Sequence, residues 1–345
     1  MTRPIAAVTG GTGFLGRYVI AALAQAGWQV RLLTRRDPTR PLPADLALEL
    51  VPGDLGDRAA LSRLVQGASA VIHAAGLVKS LHRQDFLTVN RDGAARLAEV
   101  VAVTAPRARF VLVSSQAARM PGLSSYAGSK RAGEIAVTAA LSDLDWVVLR
   151  PCVIYGPGDW EGLALQRMAQ GWVAPVPSKP EPRIAMIHAR DAAAAIMALS
   201  RGGPSHATFE ISDDRIDGYG WTELLRNTGA MLGRIPHVVP VPDLLIRAAG
   251  AASDAIGTLS GRPRVFGWGK AHEILHRDWA SDLNSQPSGT LWRPTIDLRT
   301  GLQETVAWWR MSPDRGPTVA RECRSASARQ RHQPPGGGTQ EYRTP

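Results

Sequence analysis

The chain has 345 residues, 44% of them hydrophobic and 20% charged, with 40 Lys+Arg against 30 Asp+Glu for a formal net charge of +10. That is the composition of an ordinary globular protein with a sizeable core, and it excludes a disordered or low-complexity chain. No uninterrupted apolar run approaches the roughly 18 to 20 residues needed to cross a bilayer, so a soluble or peripheral protein is expected.

The first predicted element is a strand over 5–9, without the charged-then-apolar layout of a secretory leader, which points to a cytoplasmic protein. It runs into Thr9-Gly10-Gly11-Thr12-Gly13-Phe14-Leu15-Gly16, and a helix is expected over 14–26. Glycines between a first strand and a helix allow a tight turn and close backbone approach to a pyrophosphate, whose charge the helix amides face. The second strand, 29–34, ends in Thr34-Arg35-Arg36. A carboxylate there would accept from a ribose hydroxyl, whereas arginines face a 2′-phosphate, so NADP(H) is favoured and NAD(H) stays open because Asp37 follows. Gly53-Asp54-Leu55 stands after a third strand, where Asp54 can accept from an adenine amino group and Leu55 can pack on the ring. A helix over 57–66 and a strand over 70–74 follow, the latter ending in His73-Ala74-Ala75-Gly76. The small residues leave room for ribose and phosphate, and His73 reads as a satisfied crevice histidine.

A helix over 84–103 carries Asn90, and a strand over 110–114 leads to Ser114-Ser115. Tyr126 and Lys130 lie four apart on a helix over 126–141, on one face and one turn apart. An ammonium beside a phenol favours the phenolate and would draw its pKa from about 10 toward working pH for acid–base chemistry. A strand-end hydroxyl can hold the oxygen that the tyrosine serves. Ser115 is the choice over Ser114, Ser124 and Ser125, the last two standing where a helix cap belongs.

After a strand over 146–149 the texture turns to Gly, Pro and Trp, marking a lobe added to the sheet. Along 244–259, Leu245, Ala249, Ala252, Ile256 and Leu259 recur on one side of a helix, for which core packing is the first expectation and lipid contact the second. Cys152 and Cys323 are too few and too far apart for a metal cage or disulfide framework, and Cys152 reads as a buried apolar residue. From Met311 to Pro345, six arginines face three acids around a Pro-Gly run, which reads as a disordered basic tail. Without stacking aromatics or a nucleic-acid module, no nucleic-acid partner beyond the dinucleotide is expected.

The alternation of strands and helices predicts an α/β fold, a doubly wound parallel Rossmann sheet with a smaller C-terminal substrate-binding lobe. The organisation expected is 1–155 as the NADP-binding core, 156–310 as remaining core elements with the lobe, and 311–345 as the tail. In Thr9–Gly16, Gly53–Leu55, His73–Gly76, Asn90, Val113–Ser115, Tyr126–Lys130, Arg150-Pro151-Cys152-Val153-Ile154-Tyr155-Gly156-Pro157-Gly158-Asp159 and Ile187–Asp191, the chain resembles the extended or atypical branch of the short-chain dehydrogenase/reductase superfamily. The resemblance implies hydride transfer at the nicotinamide C4, with Tyr126 exchanging the proton, Lys130 tuning it and touching the cofactor ribose, and Ser115 holding the oxygen. It also places Pro151 and Val153 at the cofactor.

Sugar-nucleotide epimerases and dehydratases holding NAD share this branch, but 150–159 lacks the asparagine that often follows the equivalent turn. The surroundings of Val113–Arg119 and Tyr126–Arg131 are similar to bacterial reductases of 3-oxo sphingolipid or ceramide precursors, a small-molecule lipid substrate compatible with peripheral membrane contact. A non-catalytic sensing or assembly subunit is the third reading; such members commonly lose the tyrosine or the lysine, and both are here. Monomer and homodimer remain equally open.

Overall fold

The computed structural model describes residues 3–35, 46 and 48–311. Arg36, Asp37, Cys323 and all of the expected tail except Met311 lie outside the described residues.

In chain order the first part runs β1 (Ile5–Thr9), α1 (Phe14–Gln25), β2 (Gln29–Thr34), β3 (Leu48–Pro52), α2 (Arg58–Val65), β4 (Ala70–His73), α3 (Arg83–Leu87), α4 (Ala94–Thr104), β5 (Arg109–Val113), α5 (Ser125–Ala140), β6 (Trp146–Pro151) and β7 (Val153–Tyr155). Then come α6 (Leu163–Gln170), β8 (Val173–Pro177), β9 (Arg183–Ile184), β10 (Met186–His188), α7 (Ala189–Arg201), β11 (Ala207–Ile211), β12 (Tyr219–Gly220), α8 (Trp221–Leu232), β13 (His237–Val241), α9 (Asp243–Ser260), α10 (Trp268–Leu275), β14 (Asp278–Trp279) and α11 (Leu298–Met311).

Seven parallel strands form one sheet in the order β11-β6-β5-β4-β1-β2-β3. The central strands are apolar on both faces because helices cover both, which is why they read as continuous Val, Ile, Leu and Ala runs. On one face Ala6, Val8, Leu32, Ile72 and Val111 pack with α1 and α7. On the other, Ala7, Leu33, Val71, Phe110 and Leu112 pack with α2, α4 and α5. The strand order reverses between β1 and β4, and the crevice at their carboxyl ends is where such sheets take ligands.

The expected helix over 84–103 is continuous in extent, but Thr88–Gly93 is a wide π-type turn between α3 and α4. That turn carries Asn90, whose Oδ1 accepts from the Leu77 amide at 2.8 Å and whose Nδ2 donates to Leu77 O and Ser129 Oγ at 3.0 and 2.9 Å. Gly133 of α5 sits where a Cβ would come within 2.2 Å of Asn90 O. The extra residue in the turn lets α5 approach and aims Asn90 at the segment after β4, a role that periodicity does not reveal.

The lobe is built from the strand pair β8·β13 and the three-stranded sheet β12-β9-β14 with α6, α8, α9, α10 and α11. It is fastened to the sheet by the segment after β5: Gln116 Nε2 and Arg119 Nη1 donate to Ala280 O at 3.0 and 3.1 Å, and Arg119 Nη2 donates to Asp278 O at 2.8 Å. Within it, the core-packing expectation for 244–259 is overturned. Leu245, Ala249, Ala252, Ile256 and Leu259 are all exposed, and the buried residues of α9 are Gly250 and Gly257. The helix packs on α10 through its glycines because they permit close approach: a Cβ on Gly250 would lie 2.9 Å from the Ala271 Cβ.

Candidate active site

The glycine loop closes tightly against the end of β4. Gly10 has φ +76°, and a Cβ there would fall 2.4 Å from the Ala75 amide nitrogen; one on Gly16 would fall 2.1 Å from Gly10 O. Both positions therefore exclude any side chain. Thr9 Oγ1 and His73 Nδ1 are 2.7 Å apart across β1 and β4. Burial holds His73 far below its usual pKa, at about 3, with Lys130 adding to the effect, so the ring is neutral and structural. Thr12 and Gly13 are exposed, and α1 follows the cap position Gly13 with no side-chain cap and no acid in its first turn. Its leading amides are thus left for an anion. Phe14 stacks edge-on against Tyr18 at 5.7 Å, and the Tyr18 hydroxyl donates to Pro157 O at 2.6 Å, drawing the turn after β7 over the start of α1. Leu15 is half-buried against the core beneath.

Arg35 is exposed at the end of β2. Asp54 and Leu55 follow β3; Asp54 Oδ1 accepts from the Gly56 amide at 2.7 Å, and Leu55 packs where a Cβ on Gly93 would meet its Cδ1 at 2.8 Å. Ala74 and Ala75 are half-buried and Gly76 is exposed, the latter's vacant Cβ position lying 3.3 Å from Asn90 Oδ1 and 3.7 Å from Lys130 Nζ. Pro151 is buried at the end of β6, while Val153, at the start of β7, is half-exposed.

The structure separates the four serines. Ser114 is buried and donates to Glu134 Oε1 at 2.5 Å. Ser124 caps α5, accepting from the Ala127 amide at 2.9 Å, and donates to Glu273. Ser125 is the first residue of that helix, and exposed. Ser115 accepts from the Ala117 amide at 3.2 Å, and its hydroxyl lies close enough to the Tyr126 phenol to lower its pKa. Lys130, one turn along α5, donates from Nζ to Val113 O at 2.7 Å. Ser115, Tyr126 and Lys130 thus meet at the carboxyl end of β5, beside Gly76.

The electrostatics differ from the sequence expectation. Burial pushes the Tyr126 phenol up to about 12; the Ser115 hydrogen bond opposes this, while Glu273 and Glu161 add to it. Burial also lowers Lys130 to about 8, against an opposing pull from Glu134. Desolvation therefore outweighs any drawing-down of the phenol by the ammonium, and the tyrosine stands as a protonated hydroxyl at neutral pH.

Several contributors escaped the sequence reading. Glu134 is buried and receives Arg150 Nε and Nη2 at 2.8 and 2.7 Å and Arg131 Nη1 at 3.0 Å as well as Ser114. Burial raises its pKa, but the hydrogen bonds from Arg150, Ser114 and Arg131 together outweigh that and keep it ionised. Its signal was available, as an acid four residues after Lys130. Trp279 packs against Leu123, Tyr126 and Ala127, its indole donating to Glu273 O at 2.7 Å, and Lys79 pairs with Glu161 at 2.8 Å between the segment after β4 and the lobe. These residues are remote from Tyr126 in sequence and left no local trace.

A doubly wound sheet with a glycine loop at its switch point, and a serine, tyrosine and lysine gathered beside it, defines the short-chain dehydrogenase/reductase class. The model of the NAD dependent epimerase/dehydratase family matches residues 6–212, and the chain belongs to that family, the extended branch of the class. It is an NAD(P)-dependent enzyme of this type. A ceramide reductase of Caulobacter vibrioides (strain NA1000 / CB15N) is 48% identical over 309 residues, 89% of this chain and 95% of that one. A mitochondrial NADH dehydrogenase [ubiquinone] 1 alpha subcomplex subunit 9 of Dictyostelium discoideum is 26% identical over 227 residues, 64% of this chain and 62% of that one. Among solved structures, MoeE5 in complex with UDP-glucose and NAD superposes with a TM-score of 0.69 at 22% identity over 90% of this chain and all of that one, a likeness of fold.

Proposed function

We propose that the protein uses NADP(H) to reduce the ketone of a lipid-like 3-oxo substrate, a sphingoid or ceramide precursor, with Ser115, Tyr126 and Lys130 as its centre. The observation that carries this reading is the 48% identity to a ceramide reductase across 89% of the chain, through the lobe as well as the sheet. The lobe is where members of one fold differ in substrate, so likeness there bears on chemistry in a way that likeness of the sheet does not.

The residues fit a dinucleotide. The tight turn at Gly10 and Gly16, the exposed Thr12 and Gly13 and the uncapped start of α1 suit its pyrophosphate. Asp54 and Leu55 suit the adenine, Arg35 and Arg36 a 2′-phosphate, and Ala74, Ala75, Gly76, Pro151 and Val153 the remainder. Bound there, NADPH supplies a hydride. Ser115 orients the substrate oxygen, and the Tyr126 hydroxyl gives that oxygen its proton, so the carbonyl becomes a secondary alcohol. A phenol held near 12 is protonated at neutral pH and so carries the proton that reduction of a carbonyl consumes. The Lys130 ammonium stabilises the tyrosinate left behind until it takes a proton back from solvent.

The decisive assay offers purified protein NADPH or NADH with 3-oxo ceramide analogues and, separately, UDP-sugars. Lipid-dependent NADPH oxidation supports the reading; a sugar converted without net cofactor consumption would replace it with an epimerase. Because Lys130 must keep its proton, kcat/KM for reduction should be level below pH 8 and fall above it, in step with its lowered pKa of about 8. Lys130→Arg should move that limb upward, and an unmoved limb would take Lys130 out of the mechanism. Replacing Arg35 and Arg36 together by alanine should weaken NADPH binding by on the order of ten-fold or more and barely touch NADH, as loss of charge-assisted bonds to a phosphate requires. Equal weakening of both would dismiss the 2′-phosphate assignment.

A further inference from the structure

Helix α9 has one packed side and one bare side. Ile246, Gly250, Ser253 and Gly257 recur along the side that faces α10 and the following loop, all buried or half-buried. At 3.6 residues per turn, the opposite arc of about 160° carries nothing but Leu244, Leu245, Ile256, Leu259 and the alanines between them. None of these is covered: Leu244 is 75% exposed, Leu245 58% and Leu259 89%. A continuous apolar stripe of about four and a half turns in contact with water is unusual for a lone soluble surface.

The packed side of the helix lies beside the segment that borders the candidate active site. A Cβ on Gly257 would lie 3.6 Å from Leu81 Cδ2, and Leu81 belongs to the segment after Gly76, itself held by Asn90 and tied across to the lobe by Lys79 and Glu161. Val78, Leu81 and the half-exposed indole of Trp268 extend the apolar rim. Around it stand Arg83, Arg247, Arg262 and Arg264, all exposed and without a carboxylate partner among the described residues. The acids of α9 are engaged, Asp254 with the Trp268 amide at 2.8 Å and Asp243 with the Ser178 hydroxyl at 3.2 Å.

We infer that the bare face of α9, with the Val78–Leu81 rim beside it, docks on an anionic lipid bilayer and presents the mouth of the site to substrate held there. Apolar side chains enter the headgroup boundary, and the flanking arginines meet lipid phosphates, the arrangement of an interfacial helix. A second copy of the chain is the poorer occupant. Two-fold antiparallel pairing along α9 would set the Arg262–Arg264 end against Arg247, like charge on like. The inference rests on the lipid-substrate reading and deepens it.

The test is flotation of the full chain with phosphatidylcholine vesicles with or without about 30 mol % phosphatidylglycerol, alongside light scattering of the free protein and turnover of a short-chain, water-soluble 3-oxo amide. The wild type should float at least about ten-fold better with the anionic vesicles, and less so as salt rises. Leu245→Glu with Leu259→Glu should abolish flotation while leaving thermal midpoint and soluble-amide turnover unchanged. Arg262→Glu with Arg264→Glu should weaken flotation on anionic vesicles only. Wild-type protein that stays unbound, a leucine variant that floats undiminished, or a wild-type dimer that the leucine variant turns into a monomer would each overturn the docking face. Absent soluble-amide turnover in a floating wild type would instead count against the substrate reading alone.

Discussion

Tyr126→Phe is expected to leave NADPH affinity within a few-fold of wild type and to lower turnover by about 10²- to 10⁴-fold, the usual contribution of a positioned acid. The change removes one hydroxyl from a ring that packs beside Ala117, Leu123 and Trp279, so the hydrophobic contacts persist and only the proton and the bond to Ser115 are lost. Ser115→Ala should lower turnover as well, by less, because the phenol remains. Cofactor titration by fluorescence and single-turnover reduction separate binding from chemistry. A phenylalanine variant with wild-type single-turnover rate would dismiss Tyr126 as the donor, whatever the substrate.

The second large effect is on stability. Glu134→Ala should cost about 3 to 5 kcal/mol, because it strands the Arg150 guanidinium, largely buried at the end of β6, and leaves the Ser114 hydroxyl without its acceptor. For a chain of this size that corresponds to a fall of roughly 10 °C in the thermal midpoint. Arg150→Ala should cost nearly as much, and the double variant much less than the sum, since the two side chains form one buried pair. Calorimetry on the four proteins measures the coupling. Additive losses, or a single variant within about 2 °C of wild type, would mean the carboxylate is not the clamp that its four hydrogen bonds suggest. Glu134 also raises the Lys130 pKa, so its removal should move the alkaline limb of the reaction downward, a shift that a merely loosened fold does not produce.

The parts legible in the sequence are those whose physics is local. The glycine loop declared itself because a tight turn between a strand and a helix needs residues without side chains, and Gly10 at φ +76° against Ala75 is that need made concrete. The five parallel strands read from the sequence appear within a few residues of their expected bounds, since strands covered on both faces must be apolar throughout. The pairing of Tyr126 with Lys130 was visible because helical spacing alone puts them on one face. By contrast, the buried Glu134 that takes up the Ser114 hydroxyl, and so favours Ser115 for the proposed role, could not be placed from the sequence.

For α9 the periodicity was right and its meaning reversed. An apolar stripe looks the same in sequence whether it meets a core or water, and only the neighbours of the helix distinguish them. In this fold Gly250 and Gly257 carry the packing and the leucines face outward. The protonation states were likewise decided by tertiary structure. Burial depends on which distant segments cover a group, and Trp279 and Glu273 reach Tyr126 from a lobe more than a hundred residues away. Sequence by itself determined the class of the enzyme, because cofactor loop and tyrosine–lysine helix are local motifs in a readable order. Which serine hydroxyl is taken up by a buried acid, how the phenol is buried and which surface is left bare were decided by tertiary structure, since each depends on contacts between residues that the chain keeps far apart.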